Sequence, residues 1–208
     1  MDYIDISSKI NDKTTIWPEG KELEISFYKN ILKDGVYSSL VKMDSHTGTH
    51  LDAPKHFIKN GMSVDHIPLS KCVGKVYVVD IKNKEINKQT IYSISDCLSK
   101  NDKIIFKTKN TELDDKEFYE DYVALDISGA KEISKYELDL IGIDYLSIQK
   151  YGEEYNEVHR ILLKNNILIL EGLNLKNVDE GKYKLYAFPL NIENLEASPV
   201  RAVLEKGD

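Results

Sequence analysis

Three of the five histidines in this 208-residue chain, together with one aspartate, fall within eleven residues: His46, His50, Asp52 and His56. Imidazole and carboxylate are the usual ligands of Zn²⁺ and related divalent ions, and histidine is the usual proton carrier near neutral pH. Four such groups so close together point to a metal or catalytic site and constrain the backbone that carries them. Fully extended, His46 and His50 would have Cα atoms about 13 Å apart, a span that two imidazoles barely bridge to reach one ion. A regular helix would bring them together, but Gly48, its flanking threonines and Pro54 oppose one. The expectation is a strand carrying Val41 and Met43 that enters the site and bends near Gly48. His50 and Asp52 would follow on a turn or short helical stretch, and Pro54 would stiffen that turn and orient His56.

A second pair lies far downstream. Glu153 to Asn165 reads as a helix with Val158, Ile161, Leu162 and Asn165 on one side and His159 at its flank. After Asn165-Asn166 comes Ile167-Leu168-Ile169-Leu170-Glu171, an aliphatic run whose terminal carboxylate would be costly to bury without a partner. Six helical residues beyond His159 advance about 9 Å. Four strand residues return about 13 Å. A helix-turn-strand unit can therefore set Glu171 beside His159.

The rest of the chain predicts an α/β or α+β domain with a mixed sheet, one domain over residues 1–208. Strands are expected at Leu23–Tyr28, Val36–Met43, Val76–Ile81, Lys103–Phe106, Tyr122–Leu125, Ile141–Asp144 and Ile167–Leu170. Helices are expected at Ser93–Ser99, Asp114–Tyr119, Ser128–Leu140 and Glu153–Asn165. Two cysteines, Cys72 and Cys97, are too few for a disulfide framework and read as reduced thiols. A net charge of −7 argues against nucleic acid as a partner. No apolar run is long enough to span a bilayer, and no signal peptide is visible at the N-terminus, so the expected location is cytoplasmic.

The segment His46-Thr47-Gly48-Thr49-His50-Leu51-Asp52-Ala53-Pro54-Lys55-His56 resembles the HxGTHxDxPxH signature of the cyclase-like metal hydrolases, the family of bacterial kynurenine formamidase and isatin hydrolase. The resemblance extends to Trp17-Pro18, to Asp65-His66-Ile67-Pro68-Leu69 with Gly74, to Gly142-Ile143-Asp144-Tyr145-Leu146-Ser147, and to His159 with Glu171-Gly172-Leu173. It implies a swivelling β/β/α fold, usually a homodimer or homotetramer, and two divalent ions, zinc or manganese. His46, His50 and Asp52 would ligate one ion and His159 the second, with Asp52 and Glu171 bridging. His56 would be the proton donor and acceptor, and Trp17 would line the substrate pocket. The implied reaction is hydrolysis of a small amide by a metal-activated hydroxide, most like an aryl formamide such as N-formylkynurenine. The alternatives are a lactam such as isatin, another small cyclic amide or ester, or a metal-binding protein without turnover. His66 lies outside the signature and reads as a surface residue. Asp144 reads either as a supporting group or as a strand-terminal aspartate.

Overall fold

The computed structural model describes residues 2–114 and 116–206. Among these residues eleven strands follow in chain order: β1 (Tyr3–Asp5), β2 (Glu24–Lys29), β3 (Ser38–Lys42), β4 (His50–Asp52), β5 (Val73–Asp80), β6 (Lys103–Lys107), β7 (Leu140–Ile143), β8 (Leu168–Glu171), β9 (Gly181–Tyr186), β10 (Ala197–Pro199) and β11 (Val203–Lys206). Nine of them form one mixed sheet in the order β1-β11-β9-β5-β6-β7-β8-β4-β10. The central four, β5 to β8, are parallel, and antiparallel strands extend the sheet at both sides. The two ends of the chain meet where β1 pairs with β11.

The central strands are buried on both faces, which accounts for their continuous aliphatic runs. Alternation along β6 sends Ile105 to one face and Ile104 and Phe106 to the other; along β8, Leu168 and Leu170 part from Ile169 in the same way. One face packs against helices Lys88–Ser93, Ile127–Ile133 and Glu157–Lys164 through Ile91, Ile133 and Leu162. On the other face, Leu204 of β11 and Leu51 of β4 share one core although they lie far apart in strand order, because the sheet curls around it. The α/β class with a mixed sheet is thus as expected. Met1, Asp115, Gly207 and Asp208, which the expected domain includes, lie outside the described residues.

Several local expectations are corrected. Tyr122–Leu125 is not a ladder strand: Leu125 makes only isolated bridges to Ile86 and Gln149. The Asn110 amide takes the place of a neighbouring strand, accepting from Val123 N at 2.8 Å and donating to Val123 O at 2.9 Å. No helix forms in the described part of Asp114–Tyr119, whose Asp115 is outside the described residues. There the Tyr145 hydroxyl accepts from Tyr119 N and donates to Tyr119 O. The helix expected at Ser128–Leu140 spans Ile127–Ile133, since β7 begins at Leu140. The one at Glu153–Asn165 spans Glu157–Lys164, after a 3-10 turn in which Tyr155 and Asn156 adopt φ of 68° and 50°. The one at Ser93–Ser99 spans Ser95–Leu98, behind a separate helix, Lys88–Ser93, capped by Asn87.

Among the described residues, β2 and β3 pair only with each other and form a two-stranded hairpin outside the main sheet. All residues of β2 are exposed, and Phe27 and Leu32 are 76% and 94% accessible. Among the described residues, no helix is long and apolar enough to cross a membrane.

Candidate metal centre

The chain reaches the site through a tight turn rather than directly from a strand. β3 ends at Lys42; Asp44 Oδ1 then accepts from His46 N at 3.0 Å, and Thr47 N donates to Asp44 O at 3.1 Å. Gly48, at φ 66°, reverses the path. The expectation that His50 and Asp52 sit on a turn is corrected: they occupy β4, paired antiparallel with β8 on one side and β10 on the other. Two neighbouring strands satisfy a backbone that the threonines and glycine would not hold in a helix. Residues two apart on a strand share a face, so His50 and Asp52 point to the site while Leu51 enters the core. Glu171 lies opposite His50 in the β4–β8 register. Pro54, whose ring fixes φ near the helical value, opens the 3-10 turn Pro54–His56 that swings His56 back over β4. His159, buried in the first turn of helix Glu157–Lys164, approaches from the opposite wall.

These elements bring six predicted residues together. His46 Nδ1 is 3.1 Å from Asp52 Oδ1, and His50 Nε2 is 3.6 Å from the same oxygen. His50 Nε2 and His159 Nε2 each lie 3.2 Å from Glu171, at Oε2 and Oε1 respectively. His56 Nε2 is 3.8 Å from Asp52 Oδ2. Two overlapping donor sets result, His46–His50–Asp52 and Asp52–His159–Glu171, each with its donor atoms within 4.8 Å of one another. Asp52 belongs to both. His56 belongs to neither.

The polar accounting fits a cation. His50 Nδ1 lies 2.9 Å from Gly48 O, a carbonyl that can only accept, so Nδ1 carries the proton. Nε2 then presents a lone pair to Glu171 Oε2 unless a proton or a metal ion stands between them. His50 Nε2 and both Asp52 carboxylate oxygens are buried without a hydrogen-bond partner among the described residues. Such atoms are costly to bury empty-handed. A donor set of imidazoles and carboxylates without thiolates suits a divalent metal ion.

The electrostatics of the metal-free chain agree. Burial works against a charge on His46, but the carboxylates of Asp52 and Glu171 prevail and push its pKa up to about 9. Burial likewise opposes a charge on His50, and Glu171 and Asp52 raise its pKa. Against the cost of burial, His56, His46 and His50 in their protonated forms hold Asp52 below the ordinary carboxylate range. Burial, helped by the nearby His46 and His159, lowers the pKa of His56, so it is neutral at pH 7. A ligand histidine must be neutral. Metal uptake at pH 7 is therefore expected to expel protons, His46 supplying one, with affinity climbing as pH rises toward 9. Calorimetric titration of the metal-free protein in buffers of different ionisation enthalpy measures this; an enthalpy independent of buffer would refute it.

The cluster forms the floor of a cavity of about 370 Å³ whose walls include Trp17, Thr47, Phe57 and Leu146. Trp17 is held edge-on by Phe118 and Tyr151, with ring centroids 5.2 and 5.4 Å away. Phe57, beside both His56 and His159, went unread in the sequence, as did Thr47, Gln149 and Glu196. Glu196 lies 3.7 Å from His46 Nε2 and accepts from Ser45 Oγ at 2.6 Å. No other ligand-type motif surrounds it in the sequence, and the pairing of β10 with β4 brings it to the site. Asp144 does not reach the ligands: it accepts from Thr108 N and Oγ1. His66 is exposed and pairs with Asp65.

Behind the cluster, Gly172 passes Gly48 so closely that a Cβ on it would lie 2.4 Å from Gly48 O, and its φ is 68°. Gly172→Ala is expected to cost about 2–5 kcal/mol, combining left-handed strain with overpacking. Denaturant titration reads this directly, and an unchanged midpoint would exclude the clash.

The sequence matches the Cyclase family over residues 4–150, most of the chain. The chain belongs to this family. Among relatives of this cyclase-family chain is a kynurenine formamidase of Salinibacter ruber, 31% identical across 98% of this chain and 97% of that protein. A solved structure described as a potential metal-dependent hydrolase with cyclase activity is 28% identical and superposes with a TM-score of 0.86 over 100% of this chain and 99% of that one. Isatin hydrolase A of Labrenzia aggregata, at 20% identity, shares the fold, with a TM-score of 0.83 over 98% and 93% of the two chains.

Proposed function

We propose that this cyclase-family chain is a metal-dependent amidohydrolase that cleaves a small aryl formamide such as N-formylkynurenine. The observation that carries the reading is the pair of donor sets sharing Asp52, with a histidine, His56, beside them that neither set uses. His46, His50 and Asp52 would hold one ion, and His159 with Asp52 and Glu171 a second, zinc or manganese. When bound, such ions lower the pKa of water and polarise a carbonyl. The full-length relatedness to a kynurenine formamidase supports the formamide as substrate.

The chain's own residues supply the remainder. His56 Nε2 faces the carboxylate cluster and takes a proton from the attacking water, then returns it to the departing amine. Trp17, braced by Phe118 and Tyr151, offers a rigid apolar wall to a flat ring. Phe57 and Leu146 help exclude bulk water from the floor.

The test is turnover of N-formylkynurenine, formanilide and isatin by the protein stripped of metal and reloaded with zinc or manganese. Formamide hydrolysis that disappears on chelation and returns with metal is expected. Turnover insensitive to chelation, or a metal-loaded protein inert toward both formamides, would overturn the reading; preference for isatin would move the substrate to lactams.

We also infer a homodimer or homotetramer. The hairpin of β2 and β3 exposes Ile25, Phe27, Tyr28, Leu40 and Val41, and an isolated two-stranded hairpin is only marginally stable in water. Phe27→Glu with Leu40→Lys is expected to lower the sedimentation mass toward that of one chain. An unchanged mass would place the assembly surface elsewhere.

A further inference from the structure

Gln149 stands behind one corner of the cluster and is buried. Its side-chain oxygen Oε1 accepts from Val158 N at 3.0 Å. A backbone N–H can only donate, so the oxygen and not the nitrogen of this amide faces helix Glu157–Lys164. The nitrogen Nε2 is turned to Asn156 Oδ1 at 3.4 Å. His159 Nδ1 lies 3.3 Å from the same Gln149 oxygen. An acceptor in that place requires a proton on Nδ1 and leaves the lone pair on Nε2, which sits 3.2 Å from Glu171 Oε1. The arrangement repeats that of His50, whose Nδ1 is held by the carbonyl of Gly48. Both deeply buried histidines thus direct Nε2 inward. One is held by backbone, which no substitution removes, and the other by a side chain.

We propose that Gln149 is a positioning residue: its amide oxygen fixes the Nδ1–H tautomer of His159 and aims Nε2 at the space beside Asp52 and Glu171, where a divalent ion would be held. The inference rests on the two-ion reading of the site. Groups that hold the far nitrogen of a ligand histidine typically account for 10–100-fold in metal affinity.

The experiment is titration of the metal-free full-length protein with Zn²⁺ in competition with a chromophoric chelator, for the parent, Gln149→Leu and Gln149→Glu. The parent is expected to take up two equivalents. Gln149→Leu should hold one with near-parental affinity and lose about 10–100-fold at the other, while Gln149→Glu, which keeps an acceptor at Oε1, should recover most of that loss. The melting temperature of each metal-free variant, read alongside, separates this role from support of the helix at Val158. A lower melting temperature with parental zinc affinity at both sites would overturn the proposal, as would a Gln149→Glu protein as weak as Gln149→Leu. If the parent takes up a single equivalent, the two-ion reading fails instead. Gln149 is then judged on that ion, and unchanged affinity in Gln149→Leu overturns its role.

Discussion

Asp52→Ala is expected to empty both donor sets at once and to lower formamide turnover by more than about 10³-fold, well beyond the 10–100-fold that outer hydrogen-bond partners usually carry. The expectation follows from position. Asp52 is fully buried on β4, flanked by β8 and β10, and it alone belongs to both sets. Its oxygens lie near His46, His50 and His56 and have no hydrogen-bond partner among the described residues. Without that charge, the pKa of His46 should fall back from about 9, because Asp52 is the leading influence raising it against burial. Elemental analysis beside steady-state rates makes the comparison. A variant that retains two ions, or hydrolyses at a tenth of the parental rate, would show that Asp52 is peripheral.

His56→Ala should behave differently: metal content unchanged, kcat reduced by about 10²–10⁴-fold, the usual share of a positioned acid/base group. His56 sits on the 3-10 turn after Pro54 and outside both donor sets, so its removal leaves every ligand in place. Burial and the neighbouring His46 and His159 depress its pKa below the ordinary histidine value, so the imidazole is a competent base at pH 7. For a group with a lowered pKa, the neutral form persists further into acid. The acid limb of the rate profile attributable to His56 should therefore fall below pH 6.5, and it should vanish in the variant. Parental turnover in His56→Ala would remove the proton-transfer role altogether.

The two halves of the site were not equally legible from sequence. The near half announces itself, since four ligand-type side chains in eleven residues have few structural explanations. The far half needed a dimensional argument, and it worked because helix and strand rises are regular enough to bring His159 back to Glu171. What failed was the local conformation of His50 and Asp52. A three-residue strand between two partners distant in sequence carries no periodic signal, and its partner β10 lies near the C-terminus. Strands β10 and β11, of three and four residues, are too short to show a period, whereas β9 alternates buried Tyr183 and Leu185 with exposed Lys182 and Lys184, a two-residue period the sequence does display. Tyr122–Leu125 misled in the other direction. Its apolar composition reflects burial, while Val123 bonds the Asn110 side chain and Ala124 and Leu125 bond backbone at Ile86 and Ile148, partners no pattern of hydrophobicity discloses.

The register of β4 on β8 sets His50 directly across from Glu171, and strand side chains alternate between faces, so a slip of one residue would carry Glu171 into the opposite layer. The stretch from His159 to Glu171 consequently works as a ruler. Inserting or deleting one residue there would leave composition, hydrophobicity and overall architecture nearly intact and yet deprive the centre of a donor. Length changes in this lineage should be tolerated in the exposed hairpin arm, where no ligand depends on the count, and be purged between the helix and the strand. Comparison of indel positions across relatives would read that selection without any assay.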